Sequence, residues 1–112
     1  MQWSIATRKR GTMLVQMSFA EFKASLAQPN PPPTLSPALL GLWHDARGDW
    51  DRAHGCVQDD ASVDGAWVHA YLHRKEGDAA NAAYWYARAK KPVAGATLTE
   101  EWAEISRSLL GT

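Results

Sequence analysis

The histidines of this chain are the residues whose type and spacing come closest to metal chemistry. His69 and His73 are four positions apart, so on a helix both imidazoles lie on one face. Neutral imidazole is a common ligand of zinc. His44 and His73 each precede a Gly-Asp pair by four residues, which predicts that His44 lies beside His73. With Asp45 or His54 nearby, a metal site at His44, His69 and His73 is one interpretation.

The same histidines also fit a structural role, in which each fills a packing position and bonds to a carbonyl or carboxylate group. The string HAYLH has the spacing of a metalloprotease helix, but Ala70 stands where that motif has its general base. The sequence has no phosphate-binding loop, nucleophile elbow or CxxC pair. Cys56 and His54 are two residues apart, which on a helix directs them to different faces. We therefore predict no bound metal, no other cofactor and no enzymatic activity.

Composition and charge exclude several classes of partner. Basic and acidic residues are equal in number, 12 each, and Arg8, Lys9 and Arg10 lie in an N-terminal stretch without acids. The rest of the chain, 18–112, has nine basic against 12 acidic residues and is a poor partner for nucleic acid. No apolar run approaches the length of about 18 residues that spans a membrane. The lone cysteine excludes an internal disulfide and fits a reducing, cytoplasmic location.

Residues 1–17 and 18–112 differ in character. The first stretch is basic and acid-poor, but its apolar runs are short and it lacks a clear cleavage site, so we interpret it as a flexible tail rather than a targeting peptide. The remainder has the size of one small domain, which buries roughly two-thirds of its unfolded surface.

Helix caps and helix breakers predict an all-α domain. Ser18 and Glu21 form a capping box, Ser36-Pro37 is an N-cap followed by a first-turn proline, and prolines follow two of the helices. Strand-like alternation is absent. The prediction is six helices, at about 18–28, 37–47, 50–58, 65–76, 79–90 and 99–110, with Thr99 as the N-cap of the last.

A shift of 29 residues superimposes one part of the chain on another. Gly48-Asp49 then meets Gly77-Asp78, Gly41 meets Ala70, and Ala53 meets Ala82. A glycine ends one helix in a left-handed conformation, an aspartate caps the next, and small residues let antiparallel helices approach. The pattern predicts an αα-hairpin that is built twice. The helices at 18–28 and 99–110 are expected to cap the two hairpins, with Trp102, Ile105 and Leu109 facing the second.

The pattern resembles tetratricopeptide and Sel1-like repeats over about residues 36–92. The residues that carry the likeness are Leu40-Gly41, Gly48-Asp49-Trp50 and Ala53 in the first unit, and Ala70, Gly77-Asp78, Ala82, Tyr86 and Ala89 in the second. The period is shorter than usual, and histidine replaces the usual aromatic residue in each first helix. The sequence is also similar to a group of small bacterial proteins of unassigned function. The resemblance implies a module that binds protein.

The same resemblance implies where a partner would bind. It places Asp45, Trp67, Tyr71, Arg74 and Lys75 on the concave face of the first helices. Aromatic residues and arginine dominate interface energetics, and two cations beside two aromatics suit an acidic peptide. We predict a partner protein or peptide bound by these five residues. The alternatives are a solvated charged edge, a homodimer, a metal-binding protein and a small enzyme with a His/Tyr/Arg pocket.

Overall fold

The chain folds into α-helices joined by short turns. The computed structural model describes residues 17–111 and contains no strand in that range, so the all-α prediction is confirmed. The predicted tail lies outside the described residues except for Met17. None of the described helices is long and apolar enough to cross a membrane. The six helices are α1 Phe19–Ser25, α2 Pro37–Ala46, α3 Trp50–Val57, α4 Val63–Glu76, α5 Ala79–Ala89 and α6 Leu98–Leu110.

Three helix ends differ from the prediction by more than one residue. α4 begins two residues early because the Ser62 hydroxyl accepts the Gly65 N–H at 2.9 Å. The N-cap of α6 is Thr97, which forms a capping box with Glu100, so the prediction of Thr99 is wrong. α1 ends at Ser25, and the chain continues to residue 28 in turns whose N–H groups bond three residues back. Each difference comes from a hydrogen bond within a few residues of the helix end.

The two predicted hairpins are present, as α2–α3 and α4–α5. Gly48 and Gly77 have φ angles of 82° and 92°, in the left-handed region that favours glycine. The following aspartates cap α3 and α5 through their side chains, as predicted. A Cβ atom on Gly41 would lie 3.2 Å from the Ala53 carbonyl oxygen, so the small residues do permit close approach. The two corners therefore have the same physical construction.

Helix α4 is the centre of the domain. Nine consecutive residues, 65–73, are buried because α2, α3, α5 and α6 all pack against it. α6 lies across both α2 and α4, rather than facing the second hairpin alone. Trp102 fixes α6 in place: its indole N–H donates to the Leu42 carbonyl at 2.9 Å, and its ring stacks on Phe22 of α1. The first and last helices thus meet beside the first hairpin.

Replacing glycine by alanine should have opposite effects on stability at a corner and within a helix. Gly77→Ala should lower the free energy of unfolding by about 1 kcal/mol, because an L-residue is strained in the left-handed region. Gly55→Ala should raise it by about 1 kcal/mol, since alanine is the better helix former and Gly55 is exposed within α3. Neither added Cβ would meet another atom within 4 Å, so packing does not confuse the comparison. Urea unfolding measures both; an equal sign for the two changes would contradict this account of the corner.

Candidate functional site

Three of the five predicted partner-binding residues form one hydrogen-bonded network around a buried carboxylate. Asp45 of α2 is only 3% exposed. One carboxylate oxygen accepts the Tyr71 hydroxyl at 2.9 Å, and the other accepts the Lys75 ammonium at 2.8 Å. Tyr71 and Lys75 lie four residues apart on α4 and therefore share a face. The network joins the first helices of the two hairpins.

Arg74 belongs to a second network, centred on Glu101 of α6. Its guanidinium donates to one Glu101 oxygen at 2.8 Å and also to the Ala96 carbonyl. The Tyr86 hydroxyl of α5 donates to the other Glu101 oxygen. Glu101 is 1% exposed, so these partners replace the water that a carboxylate needs. Sequence reasoning missed this role, because an acid in the first turn of a helix is already explained by the helix dipole.

Both tyrosines remain protonated donors at neutral pH. Burial, followed by the adjoining Asp45 carboxylate, raises the pKa of Tyr71 far above its ordinary value. Burial, followed by the hydrogen bond to Glu101, raises the pKa of Tyr86 in the same way. Their phenols therefore stabilise the buried carboxylates by donating hydrogen bonds, and neither is suited to act as a base.

Trp67, the fifth predicted residue, lies beside a separate cleft. It is 6% exposed, and the Lys91 ammonium lies 4.2 Å from its ring centroid. The cleft has a volume of about 210 Å³ and is walled by Trp67, the loop 92–96 and Glu101. The structure thus brings the five predicted residues to one side of α4, but Asp45, Trp67 and Tyr71 are buried rather than displayed.

A larger cleft lies between α2, α4 and α6. Its volume is about 240 Å³, and it contains Asp45, Tyr71 and Lys75 together with residues of α6. The Lys75 side chain is 38% exposed, so its ammonium is accessible from this cleft. We name this space the α6 cleft; its lining residues are Asp45, Ala46, Tyr71, Lys75, Leu98, Thr99 and Trp102.

The histidines are arranged differently from the prediction. His54, rather than His44, lies with His69 and His73, and His44 instead contacts the Trp43 ring. The prediction that His44 lies beside His73 is wrong in this respect, for two reasons. Asp45 faces α4, and the preceding residue points about 100° away on the helix. α3 packs against α4 and supplies His54 in its place.

His54, His69 and His73 form a compact group, which we name the His cluster. Their ring centroids are 4.8 to 5.2 Å apart, and the Nε2 atoms of His54 and His69 are separated by 3.1 Å. Two tryptophans hold the rings in place. Trp50 stacks on His54 with centroids 4.9 Å apart, and Trp85 stacks on His69 at 3.9 Å.

The surroundings of His54 and His69 favour the uncharged imidazole. Burial, and then the neighbouring His54 and His73, lowers the pKa of His69 from 6.5 to about 4. Burial, and then His73, also lowers the pKa of His54. Neutral imidazole is the form that binds metals, so the same surroundings leave its lone pairs free for a ligand.

No protein-family model, no curated protein and no solved structure matches the chain. The likeness to tetratricopeptide and Sel1-like repeats therefore stays a prediction. The roles of the site residues have to be argued from their own contacts.

A double substitution tests the buried ion pair. Arg74→Met should lower the free energy of unfolding by about 3 kcal/mol, because it leaves the Glu101 carboxylate buried without a cation. Adding Glu101→Gln should recover most of this loss, since glutamine is neutral and still accepts the Tyr86 hydroxyl. Urea unfolding of both single variants and the double variant gives the coupling. Additive losses would contradict the pairing.

The depressed pKa of His69 predicts how stability depends on pH. In the unfolded chain His69 binds a proton as the pH falls through 6.5, whereas in the folded chain it does so only near pH 4. The free energy of unfolding should therefore fall as pH is lowered through this window, by up to about 3 kcal/mol from this one group. His69→Gln should lose less stability between pH 7 and 4.5 than the unmodified chain does, as measured by urea unfolding. An equal loss in both would show that His69 does not titrate in this way.

Proposed function

We propose that the chain is a tetratricopeptide-like interaction module that binds a partner peptide or protein at the α6 cleft. The observation that carries this proposal is the cleft itself, an open space of about 240 Å³ with Asp45, Tyr71 and Lys75 in its lining. These are three of the five residues that the sequence predicts for partner binding. A cytoplasmic location and a bacterial origin belong to the same proposal.

The groove between the first helices already holds a helix, since α6 packs on both α2 and α4. This helix presents an acid and an aromatic residue side by side. Arg74 binds the carboxylate of Glu101, and the Leu42 carbonyl accepts the Trp102 indole N–H. Arg74, which the sequence predicts to bind an acidic partner, is thus already paired with an acid of the same chain. A partner has to use the part of the groove that α6 leaves open.

Lys75 is the charged group available there. Its ammonium has three hydrogens, and Asp45 is the one described residue that accepts from it. The half-exposed side chain can therefore take a second carboxylate without releasing Asp45. The apolar surfaces of Leu98 and Trp102 line the same cleft. The complementary partner is a short segment with an acidic residue next to an apolar one.

The alternative of an enzyme with a His/Tyr/Arg pocket has less support. The Tyr71 hydroxyl is bound to Asp45, and the Arg74 guanidinium is bound to Glu101 and to the loop carbonyl of Ala96. A substrate would have to displace buried charged partners to reach either group, which is costly. The histidines lie apart from Tyr71, toward α3 and α5.

Filling the cleft tests the proposal without removing a buried contact. Thr99 is exposed on the first turn of α6 and lines the cleft, whereas Ser108 is exposed on the last turns of the same helix. The full chain would be used to select peptides from a displayed library, and affinities would be measured by fluorescence anisotropy. We expect acidic, apolar-containing peptides, with Thr99→Trp binding at least about tenfold more weakly and Ser108→Trp binding unchanged.

Equal melting temperatures for the two tryptophan variants confirm that the comparison concerns binding. Failure to select any peptide, or equal weakening by both variants, would contradict a binding site at the α6 cleft. Arg74→Ala and Tyr71→Ala are unsuited to this purpose, because each removes a buried hydrogen bond and would lower stability.

A further inference from the structure

We propose that the His cluster is a binding site for a divalent first-row transition metal such as Zn²⁺, with one nitrogen of each imidazole as a ligand. The inference goes beyond partner binding and uses other residues. The cluster faces α3 and α5, whereas Tyr71 and Lys75 of the same central helix face α2.

The spacing of the nitrogens is the first argument. Each of the three residues has a ligand atom within 4.8 Å of the other two. The Nε2 atoms of His54 and His69 are 3.1 Å apart. Two nitrogens bound tetrahedrally to zinc at 2.0–2.1 Å would be separated by roughly 3.3 Å. Small side-chain adjustments, rather than a movement of helices, would therefore bring the nitrogens to a common ion.

The second argument is that His69 is a buried polar side chain whose hydrogen-bonding capacity is not met. It is 4% exposed, and its Nδ1 atom has no hydrogen-bond partner among the described residues. Its Nε2 atom faces only another imidazole, His54. Buried polar atoms are normally paired, because leaving them unpaired costs free energy. A shared metal ion would account for the close approach of the two Nε2 atoms, whereas Nδ1 of His69 keeps no described partner.

The third argument is that Glu76 orients His73. The Glu76 carboxylate lies 2.6 Å from Nδ1 of His73, so Nδ1 carries the hydrogen and donates it. Nε2 of His73 is then the nitrogen left to bind an ion. A carboxylate that fixes the tautomer of a ligating histidine is a regular feature of zinc sites. Glu76 is partly exposed, as is His54, which gives an ion access from solvent.

The ligand set decides which ions fit. Three imidazole ligands suit zinc, copper, nickel and cobalt, whereas calcium and magnesium require oxygen ligands. Three protein ligands leave a further coordination position for water or for another molecule. The tryptophans stacked on His54 and His69 restrict ring rotation and so reduce the entropy lost on binding.

The test uses the full chain, purified without a polyhistidine tag and treated with a chelator. Calorimetric titration with Zn²⁺ at pH 7.5 should give one site per chain, and Ca²⁺ should give no heat. Co²⁺ should produce the visible absorption of a low-coordinate nitrogen site. His54→Gln should weaken zinc binding by at least about tenfold, and Glu76→Gln should weaken it by about tenfold.

His44→Gln is the matched control, because His44 is also partly exposed but lies outside the cluster. Its zinc affinity should equal that of the unmodified chain. The metal-free melting temperature of each variant establishes that it is folded. If His54→Gln does not fold, Glu76→Gln is used in its place. No zinc binding by the unmodified chain would overturn the proposal. So would zinc binding that is lost in His44→Gln, or that is unchanged in the folded cluster variants.

Discussion

The burial of α4 on every side is the constraint on which the structure depends. A helix with nine consecutive buried residues has no solvent-facing stripe for its polar side chains. Tyr71, His69 and His73 lie within that stretch, so each needs a polar partner. Asp45 bonds to Tyr71, His54 contacts His69, and Glu76 bonds to His73. The polar residues of the central helix therefore determine which side chains its neighbours must present.

These contacts divide the domain into two sides with different chemistry. On the side of α2 and α6 the buried groups are carboxylates paired with cations and phenols, and every charge there has a partner. On the side of α3 and α5 the groups are imidazoles beside tryptophan rings, and Nδ1 of His69 has no described hydrogen-bond partner. The first side is suited to holding helices together, and the α6 cleft lies beside these contacts. The second is suited to a small ligand, because ring nitrogens of three histidines converge there.

The placement of α6 connects the fold to the proposed binding function. Repeat units bury their faces by stacking on neighbours, and a chain with two hairpins has few neighbours to use. α6 packs on α2 and α4, and its Glu101 binds Arg74, one of the residues that the sequence predicts for partner binding. Stability and the proposed recognition would therefore use one surface. This accounts for the burial of residues that the repeat resemblance places on an open concave face.

The helices, most of their caps and the two glycine–aspartate corners were predictable from the sequence, because these depend on hydrogen bonds between residues a few positions apart. Even the missed Thr97 cap has a local signal, the glutamate three residues later. Which polar residues meet was not predictable, because it depends on how the helices pack. Adjacent helical positions point about 100° apart, so the facing of Asp45 toward α4 excludes His44 from the cluster and leaves the place to His54. The burial of Glu101 likewise depends on how α6 docks, since the neighbouring Glu100 is exposed and bonds only to Thr97 within the described residues, whereas Glu101 meets Arg74 of α4.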